Sequence, residues 1–420
     1  MKIVFVQANV GFKGHTWEAL GIGYIAAYLK QNRTDNLDIA FFSGFYDEDS
    51  VIIEAGRKAD IIGFGCTSPQ YKHGLNLAKE IKTSQNHIIF GGIHPSVLPE
   101  LVLQEGCVDA VVIGEGEKAM LRLVDDVIKG VTITKRSYRA DYTANLDELP
   151  FPDRNVIKNE RNIEQAFRDE GIRITSVLTS RGCPFRCSFC CSRDLWGNQI
   201  RYRSPQNIIG EVEALISDWG IEFLKFADDT FTANKRQVIE FCKLKIEKGI
   251  KVPYGANAHV NTLDEEMLSY LKQSGCRELW YGVESGSPRI LKTMHKHTEI
   301  NRVKKAFKLT REIGIRTRAY FLLGMPEETI EDIEMTEKLC DELQPDIVGF
   351  TLLAPFPTNQ YFDEKTMANW DWSTFDEYSN NWVHTQTLTN QQLKEIQQRL
   401  VTKYQHTATF RQRVEKPTVS

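Results

Sequence analysis

No stretch of apolar residues in this chain approaches the roughly 20 that a membrane-spanning helix needs. Charge of one sign is not in excess either, since 52 Lys and Arg stand against 56 Asp and Glu, a net charge of −4. The first absence argues against a helical membrane span. The second leaves no concentrated basic surface for nucleic acid or anionic lipid. The N-terminus lacks the long apolar region and small-residue cleavage site of a secretory signal. Met1-Lys2-Ile3-Val4-Phe5-Val6-Gln7 reads instead as a buried strand, and a cytoplasmic protein is expected. An even cysteine count is also missing: nine cysteines in 420 residues without an export signal argue against a disulfide framework. Neither a 20–50-residue repeat nor a low-complexity tract occurs. Apolar residues at 41% and charged residues at 26% are ordinary for a globular chain and exclude disorder, collagen and coiled coil.

What the chain does contain is alternation. Over residues 1–130, strands are predicted over 2–8, 37–42, 60–65, 87–90 and 109–113, with helices over 17–30, 71–83 and from the turn at 114–117 to 129. Five strands alternating with helices predict an α/β, doubly wound, Rossmann-like sheet. Ligands of such sheets bind at the carboxyl ends of the strands. Those ends carry Thr67, Ser68, Gly91, Gly92, Gly114 and Glu115. Glycines there either let a bulky ligand approach the backbone or only make tight turns.

Residues 131–170 change character. Leu149-Pro150-Phe151-Pro152-Asp153 holds prolines that break regular structure, and the segment reads as a linker packing through Leu149 and Phe151. From 171 the alternation resumes, with strands over 172–179, 221–227, 252–258, 277–283, 316–323 and 346–353. Helices follow the first five, over 205–219, 235–248, 264–273, 300–313 and 327–343. These units predict a partial (β/α)6 barrel over 171–360, whose chemistry belongs at the C-terminal strand ends. Residues 361–420 are expected to form a C-terminal helical extension, with a helix over 390–403 and a frayed polar end.

Four cysteines fall within nine residues: Cys183, Cys187, Cys190 and Cys191. They follow the first barrel strand, on the loop at the catalytic end. Cys183, Cys187 and Cys190 are spaced C-x3-C-x2-C. Three thiolates can hold three irons of a cubane cluster and leave the fourth iron open, whereas ferredoxin-type carriers supply four cysteines. A closed structural zinc site also takes four ligands. Cys191 is poorly placed to be the fourth, because adjacent residues seldom point at one metal, and no distal C-x2-C or H-x3-H completes such a site. Cys66, Cys107, Cys191, Cys242, Cys276 and Cys340 read as buried small apolar residues.

The C-x3-C-x2-C motif, with the aromatic Phe189 before its last cysteine and a six-unit βα barrel behind it, resembles the radical S-adenosylmethionine (radical SAM) superfamily. Further segments match in order. Phe226-Ala227-Asp228-Asp229-Thr230-Phe231 ends the second barrel strand, where the family holds the amino group of SAM. Gly282-Val283-Glu284-Ser285-Gly286-Ser287 ends the fourth, where the family contacts the ribose and the methionine moiety. The segment from Phe321 through Gly324-Met325-Pro326 to Thr329 ends the fifth and resembles the adenine-contacting segment. Ala354-Pro355-Phe356-Pro357-Thr358 resembles the family's Pro-x-Pro-Gly-Thr loop without its glycine. The runs GFGCTSPQ, IIFGGIHPSVLPE, DAVVIGEGE and LPFPDR resemble the cobalamin-binding domain joined to a class of these enzymes, the class B methyltransferase-like subfamily. The D-x-H-x-x-G motif of domains that ligate cobalt through histidine is missing after the first strand. His15 and His94 lie in the neighbourhood, where a loop histidine is more often a surface residue than a ligand.

The resemblance implies a [4Fe-4S] cluster on Cys183, Cys187 and Cys190 and SAM bound by Phe189, Asp228, Asp229, Glu284, Ser285 and Gly324. It also implies cobalamin at Thr67, Ser68, Gly91, Gly92, Gly114 and Glu115. In such enzymes one electron cleaves SAM to methionine and a 5′-deoxyadenosyl radical, and methylcobalamin can methylate the resulting substrate radical. The implied reductant is a flavodoxin or ferredoxin, and the implied substrate a small molecule or natural-product intermediate, with no nucleic acid. Two further readings stay open: a non-methylating radical SAM cyclase or rearrangement enzyme, and a non-catalytic metal-binding module. A methylthiotransferase is disfavoured, because only Cys66 and Cys107 precede the linker. Tyr254, Asn257, His259, Lys296 and Arg318 are candidates to face the substrate, with no catalytic role assigned.

Overall fold

The apolar run that opens the chain is β1 (Lys2–Gln7), and Ile3, Val4 and Val6 have no exposed surface. In the computed structural model, which describes residues 1–10, 18–363, 371–378 and 380–405, β1 pairs in parallel on both sides. Its partners are β2 (Asp38–Ser43) and β3 (Ile61–Gly65). β4 (His87–Gly91), β5 (Ala110–Ile113) and β6 (Arg136–Arg139) extend the sheet to six parallel strands in the order β2-β1-β3-β4-β5-β6. The reversal of order between β1 and β3 opens a crevice at the carboxyl ends of the strands. Long helices α1 (Leu20–Asn32), α2 (Asp49–Arg57) and α3 (Ser68–Ile81) follow the first three strands. After β4 come the short α4 (Ile93–Val97) and α5 (Pro99–Gln104), and after β5 comes α6 (Gly116–Ile128).

β6 lies in the segment read as a linker. Its sequence, Arg-Ser-Tyr-Arg, buries only Tyr138, so an edge strand with one inward residue gives no apolar signal. The same segment holds α7 (Glu160–Glu170), which buries only Ile163. Leu149 is buried as expected, but Phe151 is 38% exposed. The proline-rich stretch is fixed to α1 by other atoms: the Asp153 amide donates to the Gly23 carbonyl at 2.9 Å, and Lys30 meets the Asp153 carboxylate at 2.7 Å.

The second sheet is also all parallel, in the order β14-β13-β12-β11-β10-β7. Its strands are β7 (Ile174–Val177), β10 (Phe223–Phe226), β11 (Tyr254–Ala258), β12 (Cys276–Glu284), β13 (Arg316–Leu323) and β14 (Ile347–Leu352). β7 and β14 do not pair, so the sheet is an open, partial barrel. A two-residue antiparallel pair, β8 (Ser180–Arg181) with β9 (Arg201–Tyr202), brackets the cysteine loop. α8 (Ser192–Trp196) follows that loop.

The connecting helices start where local chemistry dictates. α9 (Pro205–Trp219) has Ser204 accepting the Asn207 amide, with Pro205 at its first position, and stops at left-handed Gly220. α10 (Lys235–Glu247) and α11 (Glu265–Gln273) are capped by Asn234 and Asp264, α12 (Pro288–Thr293) by Ser287. α13 (Ile300–Glu312) precedes β13. α14 (Ile330–Leu343) begins three residues later than expected, because Thr329 and Asp332 form a capping box. Along β12, Tyr281 turns outward to α13, where its hydroxyl meets Thr310 at 2.7 Å, so by alternation Glu278, Trp280 and Gly282 turn to the opposite, concave face.

The chain divides into two units. The first holds Met1–Asn162, Cys191–Gly197 and Pro355–Asp376, and the second holds Ile163–Cys190, Asn198–Ala354 and the chain from Glu377 on. The expected C-terminal extension is therefore split. Trp372 packs with His94 and the core of the first unit, while the helix Asn390–Lys403 packs on β14, Gln397 donating to the Phe350 carbonyl at 3.0 Å. Among the described residues no helix is long and apolar enough to cross a membrane.

Candidate functional site

The cysteine loop leaves β8 through Gly182, at φ +97°, where a Cβ would fall 2.9 Å from the Gln199 carbonyl oxygen. Only glycine fits that turn. The loop is then tied to three strand ends of its own unit. Cys183 Sγ lies 3.4 Å from Thr230 Oγ1 in the turn after β10. Phe185 stacks on His259, just past β11, with ring centres 3.8 Å apart. The Ser188 amide donates to the Met294 carbonyl at 2.9 Å, and its hydroxyl donates to the Thr293 carbonyl at 3.3 Å, both beyond β12. Cys183 and Cys187 are half-buried, Cys190 is exposed, and none of the three is in a disulfide. Burial pushes the Cys187 thiol up to about 11, so a bound metal has to supply the charge that keeps it a thiolate. Three thiols carried on one loop at C-x3-C-x2-C spacing are the donor set of a four-iron cube with one iron left open. The cysteine trio fits the cube.

Asp228 lies two residues past the end of β10 and is buried. Its Oδ1 accepts from the Thr179 amide at 3.0 Å, the Thr179 hydroxyl at 2.9 Å, the Ser180 hydroxyl at 2.6 Å and the Ser180 amide. Burial pushes its carboxyl up to about 6, against the pull of those bonds. Asp228 thus clamps the two residues that lead into β8 and Cys183. Asp229, beside it, is exposed, and Phe189 is half-buried. Ser285 is buried, its hydroxyl 3.2 Å from Thr336 Oγ1 and accepting from the Ser287 amide. Glu284 sits at φ +67° with its carboxylate folded over Gly282.

Gly324, at φ +94°, donates its amide to Glu328 Oε2 at 2.6 Å. Glu328 is buried and its Oε1 has no partner, so burial pushes its carboxyl from 4.5 to about 8. The folded chain therefore holds this proton more tightly than the unfolded one. Its stabilising contribution is complete below about pH 4.5 and is lost as pH rises towards 8. Glu328→Gln, which cannot ionise, is expected to raise Tm by a few degrees at pH 8 and to leave it nearly unchanged at pH 4.5. Equal effects at both pH values would reject this reading.

His259 is buried, and its Nδ1 accepts the Asn261 amide at 3.2 Å, which places its proton on Nε2. That Nε2 is buried with no partner, at the edge of the cysteine loop. An orphaned buried donor whose ring stacks on the cysteine loop suits the carboxylate of an amino acid, so the residues fit SAM. Of the other substrate-facing candidates, Tyr254 is fully buried, its hydroxyl meeting Ser274 at 2.7 Å. Asn257 donates to the Asp228 carbonyl at 2.9 Å. Arg318 is held by the Tyr320 hydroxyl at 3.1 Å and Glu278 at 3.4 Å, with the rings of Trp280 and Tyr320 near its guanidinium. All three are thus bonded to other groups of the barrel.

In the first unit, Thr67, Ser68, Gly91, Gly92, Gly114 and Glu115 lie on one edge, at the carboxyl ends of β3, β4 and β5. Several have work within the chain. Thr67 forms a capping box with Gln70, Glu115 accepts the Thr143 amide at 3.0 Å, and a Cβ on Gly92 would fall 2.7 Å from the Cys66 carbonyl oxygen. Gly91 and Gly114 are less crowded, with neighbours no nearer than 3.6 Å to a Cβ. His94 is no surface histidine. It is fully buried, stacked on Tyr71 at 4.2 Å, edge-on to Trp372 at 4.8 Å, and its Nδ1 lies 3.0 Å from Ser68 Oγ. Burial brings its imidazole down to about 3, so it is neutral, and its Nε2 has no partner. The room left over Gly91 and Gly114 at this strand edge fits a corrinoid. Isolated in its sequence, His94 carries no signal of this burial, which comes from rings 23 residues before it and in the 355–376 segment. His15 lies outside the described residues.

Comparison with known proteins agrees with this geometry. The radical SAM superfamily model matches residues 177–340, and the B12 binding domain model matches residues 5–124. An uncharacterized methyltransferase, PH0819, of Pyrococcus horikoshii is 31% identical over 85% of this chain and 80% of its own length. The anaerobic magnesium-protoporphyrin IX monomethyl ester cyclase of Rubrivivax gelatinosus is 30% identical over 87% of this chain and 70% of its own. Among solved structures, the cobalamin-dependent SAM radical enzyme OxsB superposes with a TM-score of 0.74 at 17% identity, covering 96% of this chain and 66% of that one. The radical SAM methyltransferase TsrM from Kitasatospora setae gives 0.69 at 18%, covering 88% and 75%. With the cysteine loop on an open parallel barrel and the two family models in this order, the chain belongs to the radical SAM superfamily, as an enzyme whose barrel is preceded by a B12-binding domain.

Proposed function

We propose that this protein is a cobalamin-dependent radical SAM C-methyltransferase acting on an unactivated carbon of a small molecule or natural-product intermediate. The observation that carries the reading is the three-cysteine loop on the open barrel, in one chain with a B12-binding domain. When bound, the cluster, SAM and corrinoid supply one-electron carbon–sulfur cleavage and a transferable methyl group, which side chains cannot. The chain's own residues bind and orient. Cys183, Cys187 and Cys190 hold the cluster, and Asp228 fixes the backbone that presents Cys183. Phe189, Asp229, Glu284, Ser285 and Gly324 line the SAM site, with His259 donating to it from Nε2. Thr67, Ser68, Gly91, Gly92, Gly114 and Glu115 take the corrinoid edge. The electron comes from a flavodoxin- or ferredoxin-type carrier, and the protein acts in the cytoplasm.

One observation favours a second reading: a relative of 30% identity is named a cyclase. In that case the enzyme is a non-methylating radical SAM catalyst. The two are separated anaerobically with SAM, methylcobalamin, a reductant and a panel of candidate acceptors. Methyl transfer predicts S-adenosylhomocysteine and 5′-deoxyadenosine in about equal amounts and a product one methyl heavier. 5′-Deoxyadenosine with a product of unchanged carbon count selects the cyclase-type reading.

A further inference from the structure

Of the seven non-glycine residues at positive φ among those described, three surround one ion pair: Glu284 (+67°), His295 (+51°) and His297 (+50°). Left-handed backbone is unfavourable for such residues and persists where the surroundings enforce it. Between the two histidines, Lys296 turns inward and its Nζ meets Glu284 Oε1 at 2.8 Å, with side chains only 8% and 12% exposed. The space for this pair is made by Gly282. A Cβ there would fall 2.3 Å from Glu284 Oε1 and 3.1 Å from Lys296 Nζ. The register slip between Gly282 and Glu284 at the end of β12 is what folds the carboxylate back over the glycine.

The pair belongs to the cysteine loop's surroundings. Ser188, the residue after Cys187, is hydrogen-bonded to Thr293 and Met294, which lead directly into Lys296. Those bonds tie the loop that carries Cys187 to the turn that carries the pair, so the fields of both buried charges act close to its sulfurs. Burial makes these fields stronger than they would be in water. A lone buried cation would make the cluster easier to reduce, and a lone buried carboxylate would make it harder. As a pair they nearly cancel.

We propose that the buried Lys296–Glu284 pair is a charge-balancing element that sets the electron affinity of the cluster on Cys183, Cys187 and Cys190. The inference rests on the cluster assignment above. The step it governs is uptake of one electron, [4Fe-4S]2+ to [4Fe-4S]+, from a low-potential one-electron carrier. Lys296 is a positioning residue: it does not touch the reacting atoms but neutralises Glu284 and anchors its left-handed backbone.

The test is an anaerobic redox titration of the full-length reconstituted protein without SAM, followed by the electron paramagnetic resonance signal of the reduced cluster, with iron and sulfide counted per chain. Lys296→Met leaves Glu284 bare, and the reduced-to-oxidised ratio at a fixed potential is expected to fall about tenfold. Glu284→Gln leaves Lys296 bare, and the ratio is expected to rise by about the same factor. Lys296→Arg keeps the charge and stays near wild type, and the Lys296→Met/Glu284→Gln double variant returns towards it. A purely structural role moves both single variants the same way. Shifts of the same sign, no shift at full iron content, or loss of iron from every variant overturns the proposal. A wild-type protein with no four-iron cluster overturns the functional reading itself, and the iron count separates that outcome from the others.

Discussion

Replacing Cys183, Cys187 and Cys190 together with alanine is expected to remove essentially all cluster iron and acid-labile sulfide and to abolish reductive cleavage of SAM. The three are the loop's only cysteines besides Cys191, and three ligands are the fewest that hold a cube with one open iron. Cys191→Ala is the internal control. Cys191 precedes α8, and its side chain makes no capping bond to it, so that variant should keep its full iron. The loop's anchors at Thr230, His259 and Met294 do not involve all three sulfurs, and the triple variant should still fold, with a Tm within a few degrees of the wild-type protein prepared without iron. Iron and SAM cleavage that survive in the triple variant would remove the basis of the functional reading. Iron lost from Cys191→Ala as well would point to a four-cysteine site with no open iron.

The second large effect is expected at Asp228. Truncation to alanine leaves two amides and two hydroxyls of Thr179 and Ser180 without their shared acceptor in a buried site. Each orphaned donor costs about 1–3 kcal/mol. The hydroxyls can turn to other acceptors and the amides cannot, which puts the loss at about 4 kcal/mol. Asp228→Asn keeps one acceptor oxygen and should lose less than half as much. Because β8 hands the chain to Cys183, the alanine variant should also reconstitute with less iron, while Asp228→Asn stays close to wild type. Denaturant unfolding together with iron per chain checks both. An alanine variant with unchanged stability and iron would show that the clamp does not hold the loop.

Much of this architecture was legible before the structure. The strands of both sheets that bury both faces are written as runs such as Ile3–Val6, and their helices carry capping residues where they begin. The cysteine loop was legible because ligand spacing within a single loop is a local property. β6 and α7 were not, because a strand with one inward residue and a helix with one buried residue leave almost no periodic trace. The split of residues 361–420 was invisible for a related reason: which sheet a tail packs on depends on partners far away in the chain, 278 residues for Trp372 on His94 and 47 for Gln397 on Phe350.

The chemistry divides along the same line. The order of strands and helices, the thiols and their spacing, and the turns that need glycine are properties of neighbouring residues, and the amino-acid sequence alone determined them. Which polar groups are bound up with partners inside the chain was decided only by tertiary structure. Asp228 became a clamp, Arg318 an interior brace, His94 a buried neutral ring, and Lys296 the partner of Glu284. The physical reason is that burial and pairing set the charge and reach of an ionisable group, and both are created when distant segments pack together.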